Sequence, residues 1–274
     1  MRIATWNVNS VRTRLDQVVA WLQRDQPDVL CLQETKVADA LFPHAAFQEL
    51  GYATAISGQK AYNGVAILSR LPMDDVQIGF SALLPDADAT ALSEQKRVIS
   101  ALVDGVRVLN LYVPNGSSLS SDKYGYKLQW LSCLKRYLDV QEEQADPLCM
   151  VGDFNIGPEA RDLHDPERLT GGIMASAAER SALREVLGER LVDAFRLFEQ
   201  EAGHWSWWDY RSGAWESDRG WRIDHIYLSE ELAECATGCV IDRGPRGNVQ
   251  PSDHTPVVVN LAWPADDDEG DAWI

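Results

Sequence analysis

The sequence predicts an α/β fold in which two β-sheets pack together and helices cover them. Three observations lead there. Short apolar runs of strand length dominate, while helical stretches are few but long. The chain opens with a strand, a helical stripe and a second strand, a β-α-β unit. The two halves also look alike, each holding a strand, a long helix and a strand closed by a carboxylate, Glu34 in the first and Asp153 in the second. That likeness implies internal pseudo-symmetry with a site between the halves.

The elements follow in order. Arg2-Ile3-Ala4-Thr5-Trp6 reads as the first strand. Val11, Leu15, Val18 and Leu22 then recur at helical spacing behind Ser10, taken as the N-cap, and Pro27 ends the helix before the strand Val29-Leu30-Cys31-Leu32. Strands are predicted over 52–56 and 65–68, and a hairpin over 98–103 and 106–112 around an Asp104-Gly105 turn. Tyr124, Leu128, Leu131, Leu134 and Leu138 form the stripe of a long helix to about residue 143, followed by the strand Leu148-Cys149-Met150-Val151. A third helix over 177–187 presents a stripe that reads as core packing. Short strands return around 205–208, 223–228, 236–241 and 257–261.

A chain of 274 residues with 45% hydrophobic side chains can bury a large core, and no apolar run is long enough to span a bilayer. Met1-Arg2-Ile3 leads straight into a strand with no leader pattern, so a cytoplasmic protein is expected. Residues 1–263 read as a single catalytic domain and 264–274 as an acidic, disordered tail. The five cysteines show no CxxC pair; Cys235 and Cys239 are four apart, but no neighbouring His completes a zinc pattern. The net charge of −17 argues against tight, non-specific coating of DNA. It does not argue against cleaving it, because five carboxylates lie in the tail, leaving −12, and four more belong to the cluster described next.

Acidic and amide residues recur where the apolar runs end. Asn7, Glu34, Asp153 with Asn155, Asp224, and Asp253 with His254 all sit at such positions. Strand ends can meet along one rim, where α/β folds keep their ligands. Four carboxylates on one rim repel one another unless a hard cation or shared protons offset the charge, which points to a metal-dependent enzyme.

Asn7 with Asn9, Leu32-Gln33-Glu34-Thr35-Lys36, Asn63-Gly64-Val65-Ala66, Tyr112-Val113-Pro114-Asn115-Gly116, Gly152-Asp153-Phe154-Asn155, Ser206-Trp207-Trp208-Asp209-Tyr210-Arg211, Arg222-Ile223-Asp224 and Ser252-Asp253-His254-Thr255-Pro256 appear in this order. Together they closely resemble the exonuclease III family of abasic-site DNA repair endonucleases, within the larger endonuclease/exonuclease/phosphatase superfamily. The resemblance spans residues 1 to about 262. It implies a four-layer α/β sandwich, a Mg²⁺ cofactor that Mn²⁺ can replace, and cleavage of duplex DNA on the 5′ side of abasic sites, with 3′-5′ exonuclease activity and trimming of blocked 3′ ends as a phosphatase or phosphodiesterase. A monomer with no membrane partner is expected.

Chemistry and resemblance together assign the site. Glu34 is a hard oxygen ligand for Mg²⁺, and Asn7 adds a neutral one without raising repulsion. Asn9 serves equally as a helix cap or as a metal-side group. The resemblance places Asp153 as the base that activates water, with Asn155 holding that water or a phosphoryl oxygen. Asp224 and His254 fit a carboxylate–imidazole pair whose cationic imidazole bonds the phosphate. Asp253 is open between metal ligand and proton donor. Tyr112 and Asn115 resemble a phosphate-contacting loop, although Pro114-Asn115-Gly116 is also a good turn on its own account. Trp207, Trp221 and Ile223 match an apolar pocket for a flipped-out sugar lacking its base, against a background of clustered tryptophans that usually means core. Backbone phosphates would be held by some of Arg12, Lys36, Lys60, Arg97, Lys123, Lys127, Arg211 and Arg222, with Lys36, Arg97, Arg211 and Arg222 the leading candidates. The rivals are a same-fold phosphatase or phosphodiesterase for lipid headgroups, which should lack the Trp207/Trp221 pocket, and a catalytically dead nucleic-acid-binding or scaffold protein.

Overall fold

A computed structural model describes residues 1–263, so the predicted disordered tail lies outside the described residues. The chain opens with β1 (Arg2–Asn7), α1 (Leu15–Asp25) and β2 (Val29–Gln33), then α2 (His44–Gln48) and the strands β3 (Ala53–Ser57) and β4 (Val65–Ser69). Next come β5 (Met73–Ile78), α3 (Ala87–Ser93), β6 (Val98–Val103), β7 (Val106–Tyr112), α4 (Asp122–Glu142) and β8 (Leu148–Asp153). The last part holds α5 (Pro166–Leu169), α6 (Ala177–Leu187), β9 (Val192–Asp193), α7 (Ala194–Phe198), β10 (Asp224–Leu228), α8 (Glu230–Glu234), β11 (Ala236–Ile241) and β12 (Val257–Leu261).

Two six-stranded mixed sheets result, ordered β11-β12-β1-β2-β4-β3 and β5-β6-β7-β8-β10-β9. In each sheet only the central pair is parallel, β1 with β2 and β7 with β8. Each parallel pair is joined across a long helix, α1 or α4, because parallel neighbours need a crossover. Laid over one another, the two strand orders match position for position, which makes the expected pseudo-symmetry explicit.

The sheets face each other across Ile3, Val29, Cys31 and Ile67 on one side and Val106, Val108, Cys149, Val151 and Ile226 on the other. Trp21 and Leu22 of α1 cover Trp6 and Leu30 outside the first sheet, and Trp130, Leu131 and Leu134 of α4 cover Leu109 and Met150 outside the second. Central strands are thus buried on both faces, which is why they read as continuous apolar runs rather than alternations. Each such side chain contributes roughly 1.5–3 kcal/mol of transfer free energy. Cys31, Cys149 and Cys239 are free and pack here as small hydrophobes.

One polar tie crosses this apolar layer just behind the rim. Asn110 of β7 donates through Nδ2 to the carbonyls of Leu32 (3.0 Å) and Ala66 (2.8 Å) in the opposite sheet. Gln33 returns a bond to Asn110 Oδ1 (2.7 Å) and another to Thr5 Oγ1 (2.8 Å). In this dry layer each bond is favoured by the cost of leaving its buried groups unpaired.

Two local expectations need correction. Ser10 does not cap α1; the helix starts later behind Arg14, and Asn9 and Ser10 both take positive φ to turn the chain sharply after β1. Residues 205–208 form no strand, only isolated bridges from Trp207 to Trp221 and to His254. Among the described residues no helix is long and apolar enough to cross a membrane.

Candidate active site

Both parallel pairs end at the same rim. Asn7 closes β1 and Glu34 follows β2, while Tyr112 and Asp153 close β7 and β8 side by side. The approach of β8 depends on Gly152: with φ at 145°, a Cβ there would lie 2.0 Å from the Leu111 carbonyl oxygen. Glu34 and Asn155, each just past its strand, both have φ of 50°. Asn tolerates that region, but Glu does so only under strain held by its surroundings.

Asn7 Nδ2 bridges the two carboxylates, donating to Glu34 Oε1 (2.9 Å) and Asp153 Oδ2 (2.8 Å). Its oxygen accepts from the Asn9 backbone (3.0 Å), so Asn7 turns its nitrogen rather than the expected ligand oxygen toward the cluster. Ser252 Oγ donates to the Asn7 carbonyl (2.6 Å) and accepts from the His254 N–H (3.2 Å), fastening β1 to the His254 segment.

Asp153 is 1% exposed. Oδ1 accepts from the Asn155 N–H (2.9 Å), and Oδ2 accepts from Asn155 Nδ2 (3.2 Å) besides Asn7. Burial raises its pKa, opposed by His254 and reinforced by Asp224 and Glu34. A carboxylate so perturbed is suited to take a proton near neutral pH. His254 Nδ1 meets both oxygens of Asp224 (3.0 and 2.9 Å), and its Nε2 stands 3.7 Å from Asp153 Oδ2. Burial works against charge on this imidazole, but Asp224 and Asp153 outweigh it and raise its pKa to about 10. At neutral pH it is a cation held between two carboxylates. Ser206 Oγ accepts from the backbone of Ile223 and Asp224 (3.0 Å each), fixing the Asp224 end.

One ligand atom from each of Glu34, Asp153 and His254 lies within 4.8 Å of the others, and because the cationic imidazole has no free lone pair, Glu34 and Asp153 are the pair that can share a metal ion. Two of the three are hard carboxylate donors of the type Mg²⁺ takes. Asp253 stands apart from that trio: Oδ1 accepts from Asn9 Nδ2 (3.0 Å) and Oδ2 from Trp207 Nε1 (3.0 Å). Tyr112 is flanked by burial, Glu34 and Asp153, which together push its phenol well above its usual pKa, so it is a neutral donor at the rim. Asn155 Oδ1 accepts from Asn115 Nδ2 (2.9 Å), which brings the Asn115 loop onto the Asp153 segment.

Trp207, next to His254, and Trp221 line an open cavity of about 410 Å³ together with Leu169, Asp209 and Arg211. Trp207 and Trp221 meet edge to face with centroids 6.4 Å apart at 82°, and Trp207 is 6.4 Å from the His254 ring. Behind Trp221, Leu163, Met174 and Ile223 are buried in one apolar cluster with it, so Ile223 backs the cavity rather than lining it. The other crowded tryptophans divide from it: Trp205 and Trp208 pack with Ala214 and Trp215 in a separate core.

Residues 4–254 match the Endonuclease/Exonuclease/phosphatase family. Over 269 residues the chain is 34% identical to exodeoxyribonuclease III of Haemophilus influenzae, covering 94% of this chain and 98% of that one. The chain belongs to the exonuclease III group of that family. It is therefore a metal-dependent nuclease by descent and an enzyme. Two solved structures agree in fold. A Neisseria 3′ phosphatase bound to a product DNA hairpin is 40% identical, with a TM-score of 0.90 over 96% of this chain and all of that one. An AP endonuclease from Archaeoglobus fulgidus is 38% identical, with a TM-score of 0.89 over the same shares.

The cationic candidates of this exonuclease III homologue separate by place. Lys36 pairs with Glu34 Oε2 (2.8 Å) and donates to Asn9 Oδ1 (2.5 Å). Arg97 lies over the Tyr112 ring (4.5 Å to its centroid) and donates to the Tyr112 carbonyl (3.2 Å), in a groove of about 540 Å³ shared with Asn115 and Lys123. Arg211 is exposed at the pocket mouth and paired with Asp209 (2.7 Å). Arg222 does not face DNA: it is 1% exposed, bound to Asp162 (2.6 Å) and Asp193 (2.7 Å). Lys127 is also wrong as a surface cation, being fully buried against Glu179 (2.6 Å) while donating to the Asn155 carbonyl (2.7 Å). Glu179 in turn accepts from the Met174 and Ser176 backbones, so the Asn155 and Met174 segments hang on one ion pair. Lys127 falls three residues after Tyr124 and four before Leu131, on the apolar stripe itself, and that spacing marks it as buried. Leu163, Met174 and Ser206 carry no comparable signal in the sequence.

Proposed function

We propose that this enzyme is a Mg²⁺-dependent DNA repair phosphodiesterase that cleaves duplex DNA 5′ to abasic sites and trims blocked 3′ ends, acting as a cytoplasmic monomer. The observation that carries the reading is the adjacency of the Asp153–His254–Glu34 cluster to a cavity lined by Trp207 and Trp221, with Ile223 packed behind Trp221. A lipid-headgroup enzyme has no use for such a pocket. Excluding a base by size explains selectivity for a sugar that has lost it.

Glu34, with the Asp153 carboxylate beside it across Asn7, would hold Mg²⁺, which supplies charge neutralisation and Lewis acidity at the phosphate. Asp153 accepts the proton of the attacking water, and Asn155 orients that water. His254, kept cationic by Asp224, bonds a phosphoryl oxygen as negative charge grows there. Tyr112 and Asn115 hold further phosphate oxygens, with Arg97 and Lys36 contributing longer-range charge. Asp253, fixed by Asn9 and Trp207 between the cluster and the pocket, serves the leaving group.

The direct test is incubation with duplex DNA containing a single abasic analogue, with and without Mg²⁺, reading product lengths. Incision immediately 5′ of the analogue only when Mg²⁺ is present is expected; incision at random positions, or none, would overturn the reading. Glu34→Gln should raise the Mg²⁺ concentration at half-maximal rate, with excess Mg²⁺ restoring part of the activity. An unchanged midpoint would remove Glu34 from the ligand set. Deleting residues 264–274, with their five carboxylates, should strengthen binding to an uncleavable abasic duplex at low salt and leave the rate at saturating substrate unchanged. The gain should shrink as salt rises; equal affinities at low salt would refute it.

A further inference from the structure

Behind the pocket wall lie four charged side chains that the proposed chemistry does not use: Asp162, Asp193, Arg196 and Arg222. We propose that they form a clamp fixing the position of Trp221 in the wall of the Trp207/Trp221 cavity, and so how sharply the enzyme separates an abasic sugar from a nucleotide that keeps its base. This rests on the abasic-site reading above.

The geometry is specific. Trp221 and Ile223 join the pocket cluster, while Arg222 between them turns its guanidinium away from it. Arg222 Nε donates to Asp162 Oδ1 (2.6 Å), and its Nη groups fork onto Asp193 Oδ1 (3.2 Å) and Oδ2 (2.7 Å). The Arg222 N–H also donates to the Asp162 carbonyl (2.9 Å). The residue after Asp162 is Leu163, which bridges to Trp221 and packs behind it in the same apolar cluster. One clamp therefore grips the Trp221 wall and the segment packed against it from behind. Arg196 Nη2 takes the same Asp162 oxygen (2.6 Å), and its Nη1 ties the Glu199 and Glu201 carbonyls. Asp193 is anchored as the N-cap of α7. Two arginines balance two aspartates, so the set, buried except for the partly exposed Asp193, is neutral as a whole, the condition under which buried charges persist.

A pocket that excludes by size discriminates only while its walls hold their spacing. Interactions of this kind act through the pocket and touch no reacting atom, so these are positioning residues. Bidentate arginine contacts fix direction as well as distance, which a lysine cannot reproduce.

The test uses the double variant Arg222→Met/Asp193→Asn. It removes one charge of each sign, keeps the set neutral, and leaves Asn to cap α7. Binding is measured in the presence of chelator to a duplex carrying one tetrahydrofuran abasic analogue and to the intact duplex, with thermal melting as a control. The wild type should prefer the abasic duplex, and the melted-as-a-unit double variant should lose at least tenfold of that preference, with Arg222→Lys recovering part. A cooperative double variant with the wild-type ratio overturns the clamp. If the double variant does not fold, Arg222→Lys decides alone, and an unchanged ratio there overturns it. A wild type with no preference would instead overturn the abasic reading, and the clamp's proposed purpose with it.

Discussion

Asp153→Asn lowers the cleavage rate at least about a hundredfold while duplex binding stays near wild type, as expected for loss of a general base. The amide is isosteric but cannot take the water's proton. Its nitrogen meets either the Asn7 and Asn155 amides that donate to Asp153 Oδ2 or the Asn155 N–H that donates to Oδ1, so at least one donor loses its acceptor at a cost on the order of 1–3 kcal/mol. The removal of a buried, partly repelled carboxylate offsets some of that. Single-turnover rates and binding of an uncleavable abasic duplex check both halves of the expectation. Near-wild-type turnover in the purified variant would assign the base to another group.

The largest stability effect is expected at Glu179→Gln. Lys127 and Glu179 are both fully buried, and the variant leaves the ammonium without its counter-charge. Breaking such a pair costs about 3–5 kcal/mol, which lowers Tm by roughly 10 °C in a chain of this size. Activity should fall as well, because Lys127 Nζ holds the Asn155 and Asn115 carbonyls (2.7 and 3.3 Å). Removing both charges in Lys127→Met/Glu179→Gln should recover much of the melting temperature without restoring the rate. A single variant melting within about 2 °C of wild type would show that the ammonium finds another partner or sheds its proton.

The strands and the rim were legible because burial on both faces writes uninterrupted apolar runs, and the carboxylate closing each run stands out against them. The predicted helix over 177–187 and the hairpin over 98–112 match α6 and β6–β7 because Ser176 with Glu179 is a capping box and Asp104-Gly105 a two-residue turn with positive φ. Strand β5 escaped notice: it is a largely exposed edge whose Asp74-Asp75 pair breaks the apolar pattern. At the site, Asp224–His254 was readable from two short motifs. Arg222 was misread as a DNA contact, although its place between two pocket residues required it to point the other way. The partners Asp162 and Glu179 were not readable at all, since they lie 60 and 52 positions from Arg222 and Lys127.

The Asn110 tie between the sheets has a kinetic side. Glu34 belongs to one sheet and Asp153 to the other, so the spacing of cation ligand and base is the thickness of the sandwich measured at its edge. Asn110 and Gln33 act there as a gauge block, holding that thickness one residue short of Glu34. A bulkier side chain wedged into the dry layer at Cys31 or Cys149 would spread the two plates and slow the reaction from within the core, with every residue at the rim still in place.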